Sequence, residues 1–257
     1  MKTHRILAAL LCAGTLAGCG KEVDPIAPVR GPAPTAKIKF FNFSVGAPGV
    51  NFYANDTKMT AISSSTGKES VVGTNYGQAG AGGLYTGIVP GQYNLTGRIS
   101  DTTNKDLVIS TASQTVASGK SYSFYQSGVY SSATKAADSF ILEDNWTIPT
   151  DTLAHIRFVN AISNAPSAIQ LVIKSQATGS SEITIGGPTA YKSATDFVPV
   201  LGSVYDLYGR YPGSATNVFT RTGVSFSGRR VYTITARGDV TSSVSANKPA
   251  FDNTSNF

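Results

Sequence analysis

The feature that most constrains this chain is that it says nearly the same thing twice. Residues 36–48 read AKIKFFNFSVGAP and residues 154–166 read AHIRFVNAISNAP, aligned without a gap. Ala36/Ala154, Ile38/Ile156, Phe40/Phe158, Asn42/Asn160, Ala47/Ala165 and Pro48/Pro166 are identical, and Lys39/Arg157 is a conservative match. A second pair follows in order. Val89-Pro90 precedes Tyr93-Asn94-Leu95-Thr96-Gly97-Arg98, and Val198-Pro199 precedes Tyr205-Asp206-Leu207-Tyr208-Gly209-Arg210. A third sets Gly119-Lys120-Ser121-Tyr122 against Gly228-Arg229-Arg230-Val231-Tyr232. Three matches in the same order mean one structural unit used twice.

The unit reads as β. Ile38 and Phe40 alternate with Lys37 and Lys39, and Ile156 and Phe158 with His155 and Arg157. That period of two predicts strands with one apolar and one polar face. The Ala-Pro pair ends each strand, because proline donates no ladder hydrogen bond. Tyr93, Leu95 and Gly97 fall on one face, and Gly119 and Gly228 sit where a hairpin needs a permissive backbone. Only 14% of residues are charged, and Gly and Pro recur throughout. Such a mixture favours short strands joined by turns. About 110 residues and seven strands per copy match a sandwich of immunoglobulin-like size. The expected fold is all-β: two tandem antiparallel β-sandwich domains at 36–146 and 153–257, joined by a polar linker at 147–152.

Ahead of them lies a different segment. Lys2 and Arg5 precede an apolar run from Ile6 to Leu16, too short to span a bilayer, which takes roughly 20 residues. The run ends Leu16-Ala17-Gly18-Cys19. This resembles the lipobox of bacterial lipoproteins, which implies a signal peptide at 1–18, cleavage between Gly18 and Cys19, and lipidation of the Cys19 sulfur. More than one acyl chain is needed for lasting attachment. Gly20 stands where enteric bacteria place an inner-membrane retention Asp, so the resemblance favours the outer membrane of a cell envelope. Pro25, Pro28, Pro32 and Pro34 make residues 19–35 an extended tether of up to about 50 Å.

The strand RFVNAISNAP at 157–166 resembles the opening of the DUF4397 family, domains of unknown function that occur in tandem in bacterial lipoproteins. The Val-Pro…Tyr segment, the Gly-Lys-x-Tyr strand and Leu142-Glu143-Asp144-Asn145 are also similar to it. The first copy departs, with Phe41 and Phe43 in place of the usual Val and Ala. The resemblance implies a β-sandwich and a cell-envelope setting, with no established activity, catalytic residue or cofactor.

The residues themselves offer little chemistry. Cys12 and Cys19 both lie near the start, so the repeats hold no disulfide and no cysteine metal site. His155 is the one histidine outside the leader segment, and its repeat partner is Lys37. A position that takes Lys or His on a strand's polar side reads as solvent-facing. Gly119-Lys120-Ser121 looks like the end of a phosphate loop, but Gln114 stands where that loop needs its first Gly. A net charge of +6 without a clustered stripe does not make a nucleic-acid surface. Tyr76 and Tyr85 flank the Gly77–Gly83 loop, and with Tyr130 they are the aromatics available for ligand contact. Trp146, the sole Trp, reads as packing between the domains. The expectation is a non-enzymatic envelope lipoprotein, bound to the membrane through Cys19, that binds glycan or other envelope proteins. A carbohydrate-binding accessory of a polysaccharide system is the alternative, and a hydrolase on a sandwich scaffold is the third reading.

Overall fold

Among the described residues, nine strands are laid down in the first repeat and nine, in the same order, in the second. A computed structural model describes residues 32–60 and 72–257. The leader, the Gly18–Cys19 junction and most of the tether lie outside the described residues. In the first repeat the strands are β1 (Ala36–Asn42), β2 (Val50–Ala54), β3 (Thr57–Lys58), β4 (Gln78–Ala79), β5 (Thr86–Ile88), β6 (Gly91–Ile99), β7 (Val108–Val116), β8 (Ser121–Ser131) and β9 (Ala136–Glu143). In the second they are β10 (Ala154–Asn160), β11 (Ile169–Ser175), β12 (Glu182–Thr189), β13 (Ser193–Ala194), β14 (Val198–Val200), β15 (Ser203–Arg210), β16 (Phe219–Phe226), β17 (Val231–Arg237) and β18 (Ala250–Ser255).

Each repeat is a two-sheet sandwich. One sheet has the order β4-β1-β8-β9 with β5 also on β1, and the other β3-β2-β6-β7. The second repeat reproduces this as β13-β10-β17-β18 with β14 on β10, and β12-β11-β15-β16. The ladders are antiparallel except two: β1 runs parallel to β8, and β10 parallel to β17. A parallel pair needs a long crossover, and the whole of β2 to β7 supplies it. Ile38 lies beside Tyr122 and Phe40 beside Phe124, as Ile156 lies beside Tyr232 and Phe158 beside Ile234.

The shared letters have physical causes. Ile38, Phe40, Phe52, Leu95 and Phe124 fill the first core, and Ile156, Phe158, Leu171, Leu207 and Ile234 the second. Asn42 and Asn160 are buried, and each amide donates to a carbonyl of the returning chain, Thr74 at 2.9 Å and Thr189 at 2.9 Å. Gly97 and Gly209 sit mid-strand because a Cβ there would meet the Ser110 hydroxyl at 2.6 Å or the Phe219 ring at 2.5 Å. Tyr93 Oη donates to the Val89 carbonyl at 2.9 Å, and Tyr205 Oη to that of Leu201 at 2.8 Å. This resembles the tyrosine corner that pins a strand to the turn before it. Tyr93→Phe and Tyr205→Phe should each cost about 1 kcal/mol in urea unfolding; no loss from either would mean the corner is not a tie.

Two expected alignments shift. Ile88 and Val200 both pair with the opening alanine of their repeat, Ala36 and Ala154. Val89 is therefore equivalent to Leu201, and the Val-Pro pairs are not equivalent: Pro90 is in a turn while Pro199 lies within β14. At the later hairpin the left-handed residue is Gly119 (φ 76°) in the first repeat but Arg229 (φ 59°) in the second. Gly228 is needed instead for close approach, since a Cβ there would lie 2.2 Å from the Thr152 carbonyl oxygen.

The larger correction concerns the polar face of β1 and β10. Lys39 is 1% exposed and Arg157 3%. Both faces of these strands are buried, the second one against the other repeat. Phe41, Phe43, Tyr125 and Phe140 from the first repeat form one apolar cluster with Val159 and Ala161 of the second. Residues Pro34–Phe257 accordingly make one compact unit.

Candidate functional site

The densest polar chemistry lies at one end of this seam, and it is built from matched positions of the two repeats. Arg157 on β10 reaches into the first repeat. Its guanidinium pairs with the Asp144 carboxylate and donates to the Glu143 carbonyl at 3.3 Å. Lys39, its equivalent on β1, reaches into the second repeat and donates to the Ser255 carbonyl at 2.5 Å and to Asn256 Oδ1 at 3.2 Å. Glu143 and Ser255 are equivalent, each opposite a tyrosine, Tyr122 or Tyr232. So are Asp144 and Asn256, whose N–H groups donate to the carbonyls of Ser121 and Val231. The two arms are reciprocal, as at the self-complementary interface of a two-fold dimer.

Further hydrogen bonds close the arms into a ring. Arg157 Nε donates to Thr233 Oγ1 at 3.0 Å, and Asn256 Nδ2 donates to the same oxygen at 2.9 Å. Asp144 Oδ2 accepts from Ser123 Oγ and from Tyr85 Oη, both at 2.7 Å. The Lys39 ammonium lies 4.2 Å from the centre of the Tyr85 ring. Burial lowers the Lys39 pKa to about 8, opposed by the Asp144 charge. Burial and the neighbouring Asp144 raise that of the Tyr85 hydroxyl. Burial alone would lower Arg157, but the charge and hydrogen bond of Asp144 together with the Tyr125 and Tyr85 hydroxyls outweigh it, and its pKa is raised. Asp144 is fully buried on its side chain, so the ring is closed to solvent at its acid.

Above the ring, Trp146 bridges the repeats. It donates from Nε1 to Tyr85 Oη at 3.2 Å and stacks on Phe257 at 5.9 Å between centroids. Its edge lines two clefts. One, of about 450 Å³, is bounded by Thr35, Lys37, Lys120 and Asn145. The other, of about 270 Å³, is bounded by His155, Asp196 and Phe197. The chain enters at this end, where Thr35 is bonded to Ser118 and Gly119.

The far end of the seam repeats the exchange with different partners. Tyr191 Oη of the second repeat meets Ser127 Oγ at 2.8 Å and donates to Asp138 at 2.9 Å. Tyr76, its equivalent in the first, packs 4.8 Å from the Arg237 guanidinium, which pairs with Asp252.

Tyr76 and Tyr85 thus both face the second repeat, at opposite ends of the seam. Tyr130 packs instead on the first core from the end of β8. His155 is half-buried, with Nε2 3.1 Å from Asp151, and Lys120 pairs with Glu143 at 2.6 Å. Among the described residues, no three of His, Cys, Asp and Glu come together as a metal site. Lys39, Arg157, Asp144 and Asn256 went unpredicted. Their one signal was the Lys39/Arg157 match, a basic residue kept at the same position of both opening strands.

Comparison with protein families adds one finding: the model for the domain of unknown function DUF4397 matches residues 36–170. The chain belongs to the DUF4397 family. A search of curated proteins returns no match. The family match takes in the first repeat and runs through β10 into β11, so it contains Lys39, Asp144 and Arg157 and stops before Asn256.

Proposed function

We propose that this DUF4397 protein is a non-enzymatic lipoprotein of the bacterial cell envelope, acylated at Cys19, that presents a doubled β-sandwich to other envelope components. The observation that carries the reading is the state of its polar chemistry. Among the described residues, the densest cluster of ionisable side chains, Lys39, Asp144, Arg157 and Tyr85, is buried in the seam and joins the repeats. Loops and strand edges remain accessible among the described residues, and both are surfaces that recognise partners. Cys19 precedes Thr35 in the chain, and Thr35 is bonded at that end of the seam, which supports attachment there.

The test is whole-cell crosslinking and pull-down, with mass spectrometry of the mature N-terminus. An acylated Cys19, loss of membrane association in Cys19→Ser, and a reproducible envelope partner are expected. An uncleaved or unacylated chain would overturn the anchoring, and a hydrolytic activity of the purified protein would overturn the binding role. The clefts beside Trp146 favour one second reading, a glycan-binding accessory. Glycan-array binding lost in Trp146→Ala would establish it; since Phe257 covers one face of the ring, a sugar would have to engage its edge.

A further inference from the structure

The two arms of the seam are equivalent by position and different in kind, and the difference is chemical. One arm joins a guanidinium to a carboxylate, Arg157 to Asp144. The other joins a primary amine to a carboxamide, Lys39 to Asn256, with Nζ 3.2 Å from Oδ1 in a buried contact. An arginine is always protonated and its guanidinium is a poor nucleophile, whereas a desolvated lysine amine is a good one. A carboxylate resists attack, whereas an amide carbonyl accepts it and can release ammonia. Both departures from the repeat symmetry, Lys for Arg and Asn for Asp, go in the direction that lets the pair react.

We propose that Lys39 and Asn256 condense into an intramolecular isopeptide bond that locks β1 of the first repeat to the end of the second. The neutral Nζ attacks Cγ of Asn256 and the new C–N bond forms. Nζ gives up one hydrogen, the Cγ–Nδ2 bond breaks, and Nδ2 leaves with that hydrogen as ammonia. No oxidant, reductant or co-reactant is required. Thr233 Oγ1 accepts from Nδ2 at 2.9 Å and holds the leaving nitrogen in place. The site supplies the other conditions. Burial among Tyr85, Asp144 and Arg157 excludes the water that would compete, and an amine that titrates at about 8 is neutral in an appreciable fraction of molecules. A buried cation facing an amide rather than a carboxylate is also costly. Condensation removes that charge.

The bond spans nearly the whole folded unit, a sequence separation of 217. It ties the strand next to the tether directly to the chain's last strand. A pull between the segment ahead of β1 and the second repeat would then load a covalent link as well as the ladder between β1 and β8.

Intact-mass spectrometry of the mature chain, carrying Cys19→Ser to avoid acyl heterogeneity, decides it. The expected result is a loss of about 17 Da, one ammonia, against the sequence mass. A proteolytic fragment joining Lys39 to Asn256 should accompany it. The double substitution Lys39→Arg with Asn256→Asp copies the other arm, so it should fold and keep full mass. Full mass in the parent chain with separate Lys39 and Asn256 peptides overturns the proposal. So does a 17 Da loss that persists in Lys39→Arg, which would place a succinimide at Asn256. The peptide map of the parent chain is decisive even if the substituted chains fail to fold.

Discussion

Replacing Arg157 by methionine is expected to cost about 3–5 kcal/mol of folding stability, read as a lowered urea midpoint at unchanged slope. The reason is what it leaves behind. Asp144 has no side-chain exposure, and without the guanidinium only the Ser123 and Tyr85 hydroxyls offset its charge. Solvating one buried carboxylate with two neutral donors is far weaker than pairing it with a guanidinium cation. The Glu143 carbonyl loses its donor at the same time. Removing both charges should recover most of the loss. In Arg157→Met with Asp144→Leu the pocket becomes apolar and nothing charged is stranded, so stability should return to within about 1–2 kcal/mol of the parent. A single substitution that changes stability by less than 1 kcal/mol would mean the pair is more solvated than its burial implies.

The same residues show how far the amino-acid pattern carries. The duplication was legible because core positions cannot drift: Ile38, Phe40, Asn42, Tyr93 and Gly97 each meet a steric or hydrogen-bonding demand that recurs in the second repeat. The strand alternation at Lys37–Phe40 was legible for the same reason. Its meaning was only half legible. A strand with a lysine on its second face reads as half-exposed, because a single repeat gives that face nothing to pack against. The second repeat supplies the cover, and the contact joins Lys39 to Ser255 and Asn256 at the opposite end of the chain. No local period encodes that. Phe41 and Phe43, read as departures from the family pattern, are the residues that fill the seam. The turn register failed for a different reason. Gly119 and Gly228 look equivalent as letters, but one is required by a left-handed φ and the other by the closeness of Thr152.

Truncating Phe41 should expose how the repeats depend on each other. Its ring is buried at 1% exposure and stacks on Tyr125 at 4.7 Å, and Tyr125 stacks on Phe140 at 4.8 Å. The buried residues that the second repeat contributes, Val159 and Ala161, are small, and its Tyr191 packs on Phe140 rather than on Phe41. A cavity there cannot be refilled by its neighbours, and Phe41→Ala is expected to cost about 3–5 kcal/mol. For a unit of this size that corresponds to a fall of roughly 10 °C in the thermal midpoint. The shape of the transition matters as much as its position. Each repeat has its own core, Phe124 in one and Phe158 in the other, but the two share the seam's apolar cluster and its buried ion pair. Calorimetry should therefore show one cooperative transition that moves as a whole. Trp146, the sole Trp and a residue of the seam, should report the same midpoint by fluorescence. Two separate transitions, with only the first displaced, would mean that the repeats fold as neighbours and that the seam contributes little to either.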